Sequence, residues 1–147
     1  MRAVIVGAGM GGLMTALALR QSGVFASVDI YEQTKVPNTA GAGFHHMHRL
    51  DLLMCLYKRV FEFGPDSGAP CPITVHMDCR LTQLRQTAGE VTATFSNGRT
   101  ATGEVLVGAD GINSATLQLA WPNPRPKRWT LLSWTHSADG GRLAPQG

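Results

Sequence analysis

An α/β fold on a parallel sheet is what this sequence predicts, and its amino-terminal strand, helix and strand carry most of that prediction. Arg2-Ala3-Val4-Ile5-Val6 is a short β-branched run without polar alternation that ends at glycine, as a strand buried on both faces reads. Good helix formers follow, with Leu13, Ala16, Leu17 and Leu19 among them, and Gly23 supplies the left-handed stop that commonly ends a helix. A second strand, Ser27 to Tyr31, closes a βαβ unit, whose crossover makes its two strands parallel.

Between the first strand and the helix lies Gly7-Ala8-Gly9-Met10-Gly11-Gly12, in which Gly7, Gly9 and Gly12 satisfy GxGxxG. Each glycine has its own physical role, since Gly7 permits the tight turn, Gly9 lets a pyrophosphate approach the backbone, and Gly12 lets helix and strand pack closely. The helix amino terminus then offers unpaired N–H groups to phosphate. The pattern continues through Ala16 and Gly23 to Glu32, which lies 20 residues after Gly12, where a carboxylate accepts hydrogen bonds from adenosine ribose hydroxyls. The competing reading is a glycine-rich turn with an incidental surface glutamate. The flanking strand and helix favour an adenine dinucleotide, and Glu32 argues against a 2′-phosphate, but this unit alone does not separate FAD from NAD.

Further along, Asp51 to Phe61 places Leu53, Met54, Tyr57, Val60 and Phe61 at helical spacing with Lys58 and Arg59 on the outer side, so a helix packed on the sheet is expected. Ile73 to Met77, Arg80 to Gln86 and Glu90 to Phe95 read as strands, Asn97-Gly98 as a hairpin turn, and Glu104 to Val107 as a returning buried strand. The expected fold is a Rossmann-like FAD/NAD(P)-binding α/β domain with a β-hairpin or meander insertion. It spans residues 1–122, and residues 123–147 form an irregular basic tail.

Composition sets limits on function. The chain has 147 residues, 44% hydrophobic and 16% charged, as in ordinary globular proteins. Its net charge of +3 belongs to residues 123–147, because residues 1–122 hold nine basic and nine acidic side chains. A nucleic-acid footprint needs a basic face or stripe, so no nucleic-acid partner is expected. Cys55, Cys71 and Cys79 lack the paired spacing of a zinc site and read as small apolar residues in a reducing, cytoplasmic setting. His45, His46 and His48 have no acidic or cysteine partner at ligand spacing, so no metal is expected. Ala3 to Leu19 is a run of 17 uncharged residues that imitates a signal or membrane segment, but its glycine spacing is better explained by the dinucleotide turn, and no membrane association is expected.

Three more stretches decide the cofactor: Gly41-Ala42-Gly43-Phe44, His48-Arg49-Leu50-Asp51-Leu52-Leu53, and Val105 through Gly108-Ala109-Asp110-Gly111 to Ser114. With the amino-terminal fingerprint they resemble the FAD-dependent aromatic-ring monooxygenases, including the salicylate and 6-hydroxynicotinate hydroxylase group, over about residues 2–120. The resemblance implies FAD as cofactor, NAD(P)H as co-substrate, and hydroxylation of a small aromatic substrate through a flavin hydroperoxide. It implies Gly7, Gly9 and Gly12 at the pyrophosphate, Glu32 at the ribose, Arg49 on the phosphate or ribityl side and Leu81 near the adenine. Asp110 and Gly111 carry over as residues that hold the fold together and serve both nucleotides, with a plain strand-end turn as the alternative for Asp110.

The chain departs from that family in ways that bear on activity. Gly43 and Arg49 are only six positions apart, where the family has a long segment, so an internal deletion after residue 44 is inferred. Leu117 stands where the family usually has arginine. No Gly-Asp segment of the kind that binds the ribityl chain follows Trp121, so a truncated carboxy-terminal half is expected, and with it loss of the dry substrate enclosure. The different-class alternative is a non-catalytic nucleotide-binding remnant.

Overall fold

A computed structural model describes residues 1–35 and 46–120, with the backbone alone at 46–50. The elements are β1 (Arg2–Val6), α1 (Met10–Gln21), β2 (Ser27–Tyr31), α2 (His46–Phe61), a 3-10 turn (Pro65–Ser67), β3 (Ile73–His76), β4 (Leu81–Gln86), β5 (Val91–Phe95), β6 (Thr100–Gly103), β7 (Val105–Gly108) and α3 (Ala115–Ala120). Four strands form a parallel sheet in the order β3-β2-β1-β7, and three form an antiparallel meander in the order β4-β5-β6. In register, Ala3 of β1 lies between Val28 of β2 and Val105 of β7.

The β1 run packs on both faces as its lack of alternation predicts. On one face Ala3, Ile5, Val28, Ile30 and Ile73 pack under Leu13 and Ala16 of α1 and under Tyr57 and Val60 of α2. On the other, Val4, Val6 and Tyr31 meet Leu81, Ala93, Phe95 and Ala101 of the meander. The result is three layers: helices, parallel sheet, antiparallel sheet. Complete burial of Ile5, Leu13, Ile30 and Phe95 stabilises the fold by about 1.5–3 kcal/mol for each side chain.

Tyr31 fills the seam between the sheets, stacked on Phe95 at 4.4 Å and on His76 at 4.5 Å. Arg99 can only donate, so its 3.2 Å contact makes His76 Nδ1 an acceptor and leaves Nε2–H to donate to Asp29 Oδ1 at 3.0 Å.

Several expectations need correction. α2 begins at His46, five residues before Asp51, because the helical turn preceding the apolar stripe carries no periodic signal. Within α2, Tyr57 and Val60 are buried, but Met54 and Phe61 are 48% and 60% exposed, so the apolar stripe is wider than the face that packs. Cys71 and Cys79 are buried as expected, whereas Cys55 is exposed on α2. Neither α3 nor the 3-10 turn was expected: six and three residues are too few to show a helical repeat. The uncharged run from Ala3 divides into β1, the glycine turn and the 12-residue α1, and among the described residues no helix is long and apolar enough to cross a membrane. The Gly41-Ala42-Gly43-Phe44 segment, His45 and residues 123–147 lie outside the described residues.

Candidate functional site

β1 lies between β2, which it reaches through α1, and β7, which arrives from the meander. Ligands of open α/β sheets sit in the crevice at the carboxyl ends of strands where the order reverses in this way. Here that crevice is bounded by the Gly7–Gly12 turn after β1, the Ala109–Gly111 turn after β7, and Glu32 after β2.

The three motif glycines divide into two kinds. Gly7 has φ +104°, and a Cβ there would lie 2.4 Å from the Ala109 carbonyl oxygen, so both its backbone conformation and its surroundings exclude a side chain. A Cβ on Gly12 would lie 1.9 Å from the Gly7 carbonyl oxygen, which is the close approach of helix to turn. A Cβ on Gly9 would meet nothing within 4 Å, and its φ of −71° suits any residue. No contact within the described residues explains a glycine at position 9, and the space at Gly11 is open as well.

Gly9 is also the N-cap of α1, which has neither a side-chain cap nor an acidic residue in its first turn. The first N–H groups of a helix have no partner within it, and the macrodipole adds partial positive charge there. This end of α1 is chemically prepared for an anion.

Glu32 is held as well as placed. Ala8 N–H donates to its Oε2 at 2.7 Å and Thr34 N–H to its Oε1 at 2.9 Å. Its own N–H donates to the His76 carbonyl and its carbonyl accepts from Cys79 N–H, each at 2.8 Å. The carboxylate is therefore tied to the glycine turn itself, a contact that the sequence could not reveal because it runs through the backbone of Ala8. Burial, and then the charge of Glu32, push the Tyr57 phenol up to about 12.

Asp110 accepts from Ser114 Oγ at 2.7 Å through Oδ1, and from Thr116 N–H at 2.9 Å and Thr116 Oγ1 at 3.1 Å through Oδ2. It thus closes the turn into α3. Gly111 has φ +83° with open space around it, and the neighbouring Ile112 is 92% exposed. The Leu81 side chain is 5% exposed and belongs to the core between the sheets. Arg49 lies in the first turns of α2, and its side chain is outside the described residues. The structure thus brings Gly7, Gly9, Gly12 and Glu32 together, with Ala109 and Asp110 packed against Gly7. Thr116 and Ser114, which hold Asp110, were not anticipated; the spacing Asp110 to Ser114 to Thr116 at a helix start is the signal that could have found them. No group of three or more His, Cys, Asp or Glu residues that could hold a metal occurs among the described residues.

Comparison with known proteins agrees with this geometry. The profile of the NAD(P)-binding Rossmann-like domain matches residues 5–63. The chain is 28% identical over 161 aligned positions to the FAD-dependent urate hydroxylase of Klebsiella pneumoniae, a match covering 78% of this chain and 41% of that protein. It is 28% identical over 165 positions to hispidin-3-hydroxylase of Neonothopanus nambi, covering 76% and 37%. The chain thus spans about two fifths of the length of these curated relatives. Among solved structures, 2,6-dihydroxypyridine-3-hydroxylase from Arthrobacter nicotinovorans superimposes with a TM-score of 0.60 at 23% identity, over 80% of this chain and 38% of that one. A Klebsiella pneumoniae enzyme solved with FAD superimposes with a TM-score of 0.56 at 24% identity, over 80% and 42%. Fingerprint, fold and relatives agree: the amino-terminal part of the chain matches an NAD(P)-binding Rossmann-like domain, and the chain is similar to FAD-dependent hydroxylases, of whose matched members it spans less than half the length.

Proposed function

We propose that residues 1–122 bind FAD through its adenosine diphosphate half and form the cofactor-binding part of an NAD(P)H-dependent monooxygenase acting on a small aromatic substrate. One observation carries this reading: the open space at Gly9, before the uncapped start of α1, between Gly7 and Gly12, where a side chain is excluded. The residues present fit the group. Backbone N–H groups at Gly9 to Gly12 would receive the pyrophosphate and Glu32 the ribose hydroxyls, with Arg49, Asp110 and Gly111 completing the set, while Leu81, whose side chain lies in the core, would reach the adenine only through its backbone. FAD, when bound, supplies the redox chemistry by which such enzymes pass electrons from NAD(P)H to oxygen, and this chain positions its nucleotide half.

The relatives named urate hydroxylase and hispidin-3-hydroxylase support an aromatic substrate and an enzymatic role by kinship. The balanced charge of residues 1–122 argues against nucleic acid as a partner, and the free thiols of Cys71 and Cys79 accord with a cytoplasmic location. Titration calorimetry of the chain with ADP and with FAD tests the proposal. Saturable binding of both is expected; no heat with either would overturn it.

A further inference from the structure

Aside from the two tyrosines and the cysteines, Thr116 is the one side chain with a polar group that is buried among the described residues, 8% exposed, and it stands outside every motif of the dinucleotide fingerprint. Its hydroxyl donates to Asp110 Oδ2 at 3.1 Å and its N–H donates to the same oxygen at 2.9 Å. Ser114 Oγ donates to Asp110 Oδ1 at 2.7 Å and accepts from Leu117 N–H at 2.9 Å. Both carboxylate oxygens of Asp110 are thus clasped by the start of α3. The clasp is also anchored below, because the Thr116 methyl lies 2.8 Å from where a Cβ on Gly108 would be.

What this clasp holds is the turn that abuts Gly7. Ala109 N–H donates to the Val6 carbonyl at 2.7 Å, and the Ala109 carbonyl oxygen and Asp110 nitrogen lie 2.4 and 2.9 Å from a Cβ position on Gly7. Close-packed contacts of this kind transmit displacement, since no free volume absorbs it. We infer that Thr116 is a positioning residue for the nucleotide site: through Asp110 it holds the Ala109-Asp110 turn against Gly7 and so sets the glycine turn that faces the phosphates. Thr116 touches no ligand in this scheme. The inference rests on the proposed nucleotide reading, and the alternative is that Thr116 only stabilises the start of α3.

The test measures ADP affinity of the full 147-residue chain by calorimetry, well below each variant's melting temperature, alongside that melting temperature itself. Thr116→Val removes the hydroxyl and keeps the shape; it should weaken ADP roughly threefold to tenfold, the equivalent of one hydrogen bond lost from a preorganised site. Thr116→Ser keeps the hydroxyl and should restore near-parental affinity, and Ser114→Ala should weaken ADP as the valine variant does. Parental affinity in Thr116→Val with a lowered melting temperature would overturn the inference in favour of a stabilising cap. Equal losses in the serine and valine variants would overturn it in favour of methyl packing. Should Thr116→Val not fold, Ser114→Ala decides alone, and parental affinity there overturns the inference. Failure of the unsubstituted chain to bind ADP defeats the nucleotide reading before any variant is compared, so the two failures are distinct.

Discussion

At the scale of single residues, Gly9 and Gly12 look alike in the motif but separate in space, and substitution should separate them in the laboratory. Gly9→Val meets no neighbour and needs no unusual backbone, so it should melt with the parental chain and lose nucleotide affinity. Gly12→Ala forces a Cβ into the Gly7 carbonyl and should destabilise the fold by about 1–3 kcal/mol or more, measured by urea denaturation without ligand. Glu32 gives a second contrast. Glu32→Gln places an amide NH₂ against the N–H of Ala8 or Thr34, leaving a donor facing a donor, so the ligand-free chain should lose about 1–3 kcal/mol. Unchanged urea stability would mean that these bonds do not hold the turn. The packing roles of Gly7 and Gly12 were legible because each follows from the absence of an atom. The tether from Glu32 to Ala8 was not, since a backbone N–H leaves no mark in sequence.

At the scale of elements, the buried layers carry both tyrosines of the chain. Burial, then the charge of Asp29, push the Tyr31 phenol up to about 12, and Tyr57 stands equally high. A phenol raised above its unfolded value of about 10 contributes stability that is complete below pH 10 and lost as pH rises toward 12. Tyrosinate absorbance should therefore stay low at pH 10 and rise together with loss of circular dichroism; a non-cooperative rise near pH 10 in a folded chain would contradict the three-layer packing. α2 shows what periodicity cannot tell. Leu52, Met54 and Phe61 are 49%, 48% and 60% exposed, although they continue the apolar stripe that buries Tyr57 and Val60. A stripe of this kind predicts association at high concentration, and Met54→Gln with Phe61→Lys should raise the monomer fraction in light scattering. Equal association in parent and double variant would place the sticky surface elsewhere.

At the scale of the whole molecule, the parallel pairing of β1 with β2 follows from the βαβ unit and the meander from Asn97-Gly98 and its flanking runs, whereas the places of β3 and β7 at the two edges of the sheet were not legible. α3 and its clasp were not, because a helix of six residues is too short to declare itself and depends on Asp110 to begin. What was legible at the site is the close packing of the glycine turn and its place at the start of a helix. The chain spans only about two fifths of the length of its curated relatives. The most direct measurement is calorimetric titration of FAD into the parental chain and into Gly9→Val, with both confirmed folded at the same melting temperature. Saturable binding to the parent and none to the variant is the predicted result. Equal affinity in the two would show that the turn is a fold element and no pyrophosphate cradle.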